Sequence, residues 1–107
     1  MEIKFGLDTF GDMQVDDSGA PITGAQTIRN VVEEAVFADS MGIYGINLGE
    51  HHRDDFAISA PDTVLAGIAT RTKQIKLGTG VTVLSSDDSV RVYERFATLD
   101  ALSNGRA

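Results

Sequence analysis

The chain has 107 residues, 42% of them hydrophobic and 23% charged, a balance that suits one folded domain and excludes an intrinsically disordered segment. Its formal net charge of −7, with nine scattered Lys and Arg residues, opposes contact with a phosphate backbone and sets nucleic acid aside as a partner. Cysteine is absent, no apolar run approaches the roughly 18 residues of a membrane span, and Met1-Glu2-Ile3-Lys4 lacks a signal-peptide opening, so a single cytoplasmic domain over residues 1–107, held by packing alone, is expected.

Residues 3–7 alternate apolar and polar side chains and predict a short strand, and the Asp-, Gly-, Ser- and Pro-rich residues 12–24 predict a long loop. From Thr27 onward, Ile28, Val31, Val32, Ala35 and Ala38 fall on one face of a helix that Gly42 ends after Met41. Residues 44–48 predict a second, mostly apolar strand, followed by the polar run Gly49-Glu50-His51-His52-Arg53-Asp54-Asp55. Pro61 stands where helices start, ahead of Val64, Leu65, Ile68 and Ala69 on one face. Residues 75–84, rich in β-branched side chains, predict a third strand, in which Gly78 and Gly80 mark a bulge or the close approach of a ligand. Residues 85–89 predict a loop that caps a third helix, with Val92, Phe96, Leu99 and Leu102 facing inward and Gly105 ending it.

Strand and helix thus alternate three times, which implies parallel strands joined by crossovers. Strand starts at Ile3, Tyr44 and Ile75 place the next one near Arg106 and Ala107. Three parallel strands covered on one face leave the other face and both edges open. A closed eightfold barrel takes about 250 residues. The expected fold is α/β: the N-terminal three β/α units of an incomplete TIM (β/α)8 barrel, with an open flavodoxin-like sheet as the alternative.

Sites in such folds form at the carboxyl ends of the strands, which selects residues 8–11, 50–55 and 80–88. His51 and His52 are the chain's two histidines, and beside Glu50, Asp54 and Asp55 they read as a general acid or base, because imidazole titrates near neutral pH. A plain surface pair is the competing reading. As joint metal ligands they are poorly placed: adjacent side chains of an extended segment point to opposite sides, and no third histidine completes a zinc set. Gly78-Thr79-Gly80 lacks the third glycine of a dinucleotide fingerprint and does not open a helix. Gly80 either lets the backbone approach a flat ligand or merely interrupts the sheet. Asp87 and Asp88 read as helix caps in preference to a catalytic carboxylate pair, and Phe10, Phe56 and Tyr93 as packing aromatics in preference to cofactor stackers.

Taken in order, Lys4-Phe5-Gly6, Asn47-Leu48-Gly49-Glu50-His51-His52, Leu77-Gly78-Thr79-Gly80-Val81 and Thr98-Leu99-Asp100-Ala101-Leu102-Ser103-Asn104-Gly105-Arg106 resemble the luciferase-like flavin monooxygenases across the whole chain. The resemblance implies a (β/α)-barrel enzyme that uses reduced FMN, or in some branches a deazaflavin, with molecular oxygen to oxidise a small organic substrate. His51 matches the family's catalytic histidine, with His52 supporting it. Gly80 and Val81 match the bulge that backs the flavin ring, where a non-prolyl cis peptide is often found, and Glu50 joins them as a cofactor-binding residue. Family members take their flavin-phosphate ligands from the fourth strand and later loops, so these units alone are expected to be inactive. The family's habit of dimerising through the second and third helices makes Val64, Ile68, Val92 and Phe96 candidate subunit contacts, in a homo-oligomer or in association with the rest of the barrel. Two other readings stand beside this one: a noncatalytic flavoprotein or assembly piece that pairs with another chain, and a metal-dependent barrel hydrolase.

Overall fold

Strands and helices alternate along residues 1–107, all of which the computed structural model describes. In chain order they are β1 (Gly6–Thr9), α1 (Gly24–Ser40), β2 (Gly45–Leu48), α2 (Pro61–Ala69), β3 (Lys76–Thr79), a short 3-10 turn (Leu84–Ser86) and α3 (Ser89–Leu102). The three strands are parallel and lie in the order β1-β2-β3, pairing Leu7 with Ile46 and Ile46 with Leu77. A flavodoxin-like sheet would put β1 between its two neighbours, so this order rejects that alternative.

Strand alternation sorts the side chains of the sheet into two faces. Ile46, Leu48 and Leu77 are buried together with Val31, Ala35 and Ala38 of α1, Val64, Leu65, Ile68 and Ala69 of α2, and Leu99 of α3. Full burial of each large aliphatic side chain contributes roughly 1.5–3 kcal/mol, which makes this one-sided core the main source of stability. The opposite face carries Asp8, Asn47 and Gly78 in one row, aligned by the strand register. No helix covers it.

Two of the helices begin where a side chain meets their free N–H groups, and the third begins at a proline. The Thr23 hydroxyl accepts the Gln26 N–H at 3.1 Å, so α1 starts ahead of the expected Thr27. Pro61 opens α2, and the Asp88 carboxylate caps α3 by accepting the N–H groups of Val90 and Arg91 at 2.9 and 3.1 Å. Other boundaries move as well. The first strand is residues 6–9 and not 3–7, because pairing follows residues 45–48 of β2; Ile3 and Phe5, 70% and 69% exposed, precede the ladder. The second strand correspondingly begins at Gly45, after Tyr44. The third stops at Thr79, five residues short of the expected Leu84, because β2 ends at Leu48 and leaves the following residues no strand to pair with. On α3, Leu99 is buried, but Leu102 is 52% exposed and does not face inward as expected. Val64 and Ile68 belong to the core, at 9% and 0% exposure.

The amino end of the sheet is tied by two buried charged groups. Asp39, on the last turn of α1, accepts the backbone N–H groups of Lys73, Gln74 and Ile75 at 2.9, 3.0 and 2.7 Å. Burial alone would raise its pKa. The three N–H donors and the nearby Arg106 outweigh that and hold the carboxyl below its ordinary value. Arg106, 7% exposed, donates to the carbonyls of Ala69, Thr72, Ile75 and Ser103 and to the Thr72 hydroxyl. Its own carbonyl accepts the Leu77 N–H at 2.8 Å, so the chain returning from α3 lies against the edge of β3.

Candidate active site at the carboxyl rim

Beyond the last ladder residues the backbone still pairs once at each junction. Gly49 donates to the Thr9 carbonyl at 2.8 Å, and Gly80 donates to the Leu48 carbonyl at 3.0 Å. These bonds fix the loops that follow β2 and β3 side by side at the same end of the parallel sheet. Residues 8–11, 50–55 and 80–88 consequently share one rim.

His51 stands at the centre of the first loop. Its ring stacks on Phe56, with centroids 4.0 Å apart and planes 21° from parallel, and meets Phe10 edge-on at 5.4 Å. Phe10 and Phe56 are thus packing aromatics, and what they pack is the histidine. The His51 N–H donates to the Ile58 carbonyl at 3.0 Å, while its Nε2 is buried without a hydrogen-bond partner. Gly49 makes this cage possible: a Cβ there would lie 2.7 Å from Phe10 Cδ1 and 3.3 Å from His51 Nε2.

Glu50 and His52 form the next layer. Glu50 Oε1 lies 2.7 Å from His52 Nε2, and Oε2 accepts the Val83 N–H at 2.8 Å. The Glu50 side chain is only 8% exposed, whereas that of His52 is 54% exposed. Between Thr79 and Val83 the chain makes its glycine bend, where the Gly80–Val81 peptide is cis and Val81 is 67% exposed. Thr79 and Thr82 hydroxyls hydrogen-bond across this bend at 2.7 Å.

Beneath the bend, Asn47 Nδ2 donates to Asp8 Oδ1 at 2.8 Å. Gly78 lies under the amide of Asn47, so close that a Cβ would overlap Asn47 Oδ1. Farther out, Arg95 of α3 pairs with Asp87 and lies 2.7 Å from Asp62 Oδ2, a charge contact without hydrogen-bond alignment at Nε. The Arg95 guanidinium holds the Asp87 carboxyl below its ordinary value. Asp87 therefore serves an ion pair, and Asp88 alone caps α3 through its side chain. Tyr93 is 73% exposed on α3. No three His, Asp or Glu side chains gather to hold a metal ion, and no helix is long and apolar enough to cross a membrane.

His51, His52, Glu50, Gly80 and Val81, expected as site residues, all lie on the loops of this rim, where Glu50 contacts His52 and Val83. The structure adds Arg95, which the sequence reading did not name, and it pairs Asp8 with Asn47, which that reading places only in a rim segment and in a family motif. The luciferase-like monooxygenase family matches residues 3–107. The chain belongs to this family. Among relatives, it is 36% identical over 85 residues to the N-acetyl-S-alkylcysteine monooxygenase of Bacillus subtilis, covering 78% of this chain and 25% of that protein. It is 34% identical over 85 residues to the oxygenase component of the flavin-dependent trigonelline monooxygenase of Acinetobacter baylyi, covering 78% and 24%. The oxygenating constituent of 3,6-diketocamphane monooxygenase from Pseudomonas putida, solved in complex with FMN, superposes with a TM-score of 0.86 at 24% identity. That match covers 98% of this chain and 28% of the other and establishes the fold as three β/α units of a TIM-type barrel. The chain spans about a quarter of the length of the relatives it matches.

Proposed function

We propose that these units form the catalytic rim of a flavin-dependent monooxygenase that oxidises a small organic substrate with reduced FMN and molecular oxygen. The observation that carries this reading is the meeting of the His51 cage and the Gly80–Val81 bend at one rim, in a chain of this family. Two features fit a flavin. The bend at half-buried Gly80 and exposed Val81 offers a seat for a flat ring, and the buried, unpartnered Nε2 of His51 lacks a group from outside the chain to satisfy it.

When bound, reduced FMN supplies the two electrons with which one atom of O2 enters the substrate and the other leaves as water. The chain's residues position and protonate. Phe10 and Phe56 fix the plane of the His51 ring and shield one side from water, so that its Nε2 can hold a proton or give it to a reacting oxygen. His52, oriented by Glu50, stands at the solvent side as the supporting residue. Gly80 and Val81 bind the ring through backbone, Glu50 supports that binding, and activity requires the barrel to be completed by further β/α units. A deazaflavin in place of FMN would reveal itself by tighter binding when the full-length protein is titrated with each.

In the full-length protein, His51→Ala is expected to lower turnover about 10²- to 10⁴-fold while FMN affinity changes little. Unchanged turnover would remove His51 from the chemistry. A second reading, that the chain is an assembly piece, is favoured by the exposed apolar groove of Leu7, Phe37, Ala38, Met41 and Ile43 beside the free edge of β1. A stable folded monomer of residues 1–107 in light scattering would count against it.

A further inference from the structure

We infer that Glu50 is a positioning residue: its carboxylate sets the spacing between the histidine loop and the glycine bend and so preforms the seat of the ring. The inference rests on the flavin reading and deepens it. Both oxygens of Glu50 already have protein partners, and the side chain is nearly closed to a ligand. One meets His52 Nε2 at 2.7 Å and the other accepts the Val83 N–H at 2.8 Å, on a side chain 8% exposed.

The second of these bonds gives Val83 an acceptor beyond the end of the ladder. The ladder ends with Gly80 donating to the Leu48 carbonyl, after which the chain following β2 leaves the sheet at Gly49. Past this point Val83 finds its acceptor on a side chain, the Glu50 carboxylate. Because Val83 follows Val81 by two residues, this contact fixes the height of the bend above the sheet. The other end of the same loop is held separately, by Asp87 on Arg95. Of these two contacts on residues 80–88, only the one from Glu50 also holds the histidine loop.

The test compares Glu50→Ala, Glu50→Gln and, as a control, Arg95→Lys in the full-length protein, with folding checked by circular dichroism. Amide hydrogen exchange at Val83 is read without flavin, and FMN affinity and the spectrum of bound FMN are read by titration. Glu50→Ala is expected to speed Val83 exchange at least tenfold and weaken FMN binding about ten- to a hundredfold. Glu50→Gln keeps an oxygen acceptor and should recover most of both. Arg95→Lys should leave Val83 protected. Val83 exchange unchanged in Glu50→Ala, or faster exchange with FMN affinity and spectrum unaltered, would overturn the inference. Failure of the unaltered protein to bind FMN overturns the flavin reading instead.

Discussion

The two ends of the sheet treat their buried polar groups in opposite ways. At the amino end, Asp39 accepts three backbone N–H groups and Arg106 donates to four carbonyls and a hydroxyl. At the carboxyl end the Glu50 carboxylate is partnered, but His51 Nε2 is buried with no partner, and Val81 is exposed. A satisfied network of buried charge holds a structure in one arrangement, whereas an unsatisfied one leaves a place for something else to bind. In parallel α/β barrels the amino end serves stability and the carboxyl end chemistry, and the contrast between the two ends of these three units fits that division.

The comparison breaks if the amino-end network contributes little. Arg106→Met is expected to have the largest effect, lowering the free energy of unfolding by about 3–5 kcal/mol, since it strands carbonyls of Ala69, Thr72 and Ile75 in the interior. Denaturant unfolding measures this, and a loss below about 1 kcal/mol would mean that water replaces the guanidinium at no cost. Asp39→Asn comes next, at about 2–3 kcal/mol near neutral pH, because an amide oxygen accepts the three N–H groups less strongly than a carboxylate. Its pH dependence sharpens the point. The folded pKa of Asp39 lies below the ordinary carboxylate value, so its contribution is present above that value and is lost as pH falls through the depressed folded pKa. The gap between the unaltered chain and Asp39→Asn should therefore narrow below about pH 4. A gap that widens in acid would contradict the assignment.

Much of this division was legible in the sequence, for physical reasons that differ by element. The apolar periodicity of α1 and α2 and the proline at position 61 identified both helices, since a helix on a sheet must bury one stripe. The rim itself followed from strand direction, which regular alternation of elements implies. What escaped is mostly set by partners distant in sequence. Val81 to Val83 carry strand-forming side chains, yet pairing ended when β2 ended. The start of α1 was missed although Thr23-Gly24-Ala25-Gln26 has the spacing of a capping box. Asp39 also left a signal, since it lies four residues after Ala35 on the apolar stripe, where an acid must find buried partners. Arg106 and Arg95 left none, as each is defined by acceptors on other elements. Asp8 and Asn47 meet across 39 residues through strand register, which the sequence does not specify.

The central claim is that the carboxyl rim receives the flavin. It is tested most directly by mapping amide chemical-shift changes in the full-length protein as FMN is added. The expected result is that shifts concentrate at residues 49–52 and 80–83 and leave 72–76 and 103–106 unmoved. Shifts concentrated at the Asp39 and Arg106 end, or spread evenly over both, would contradict it.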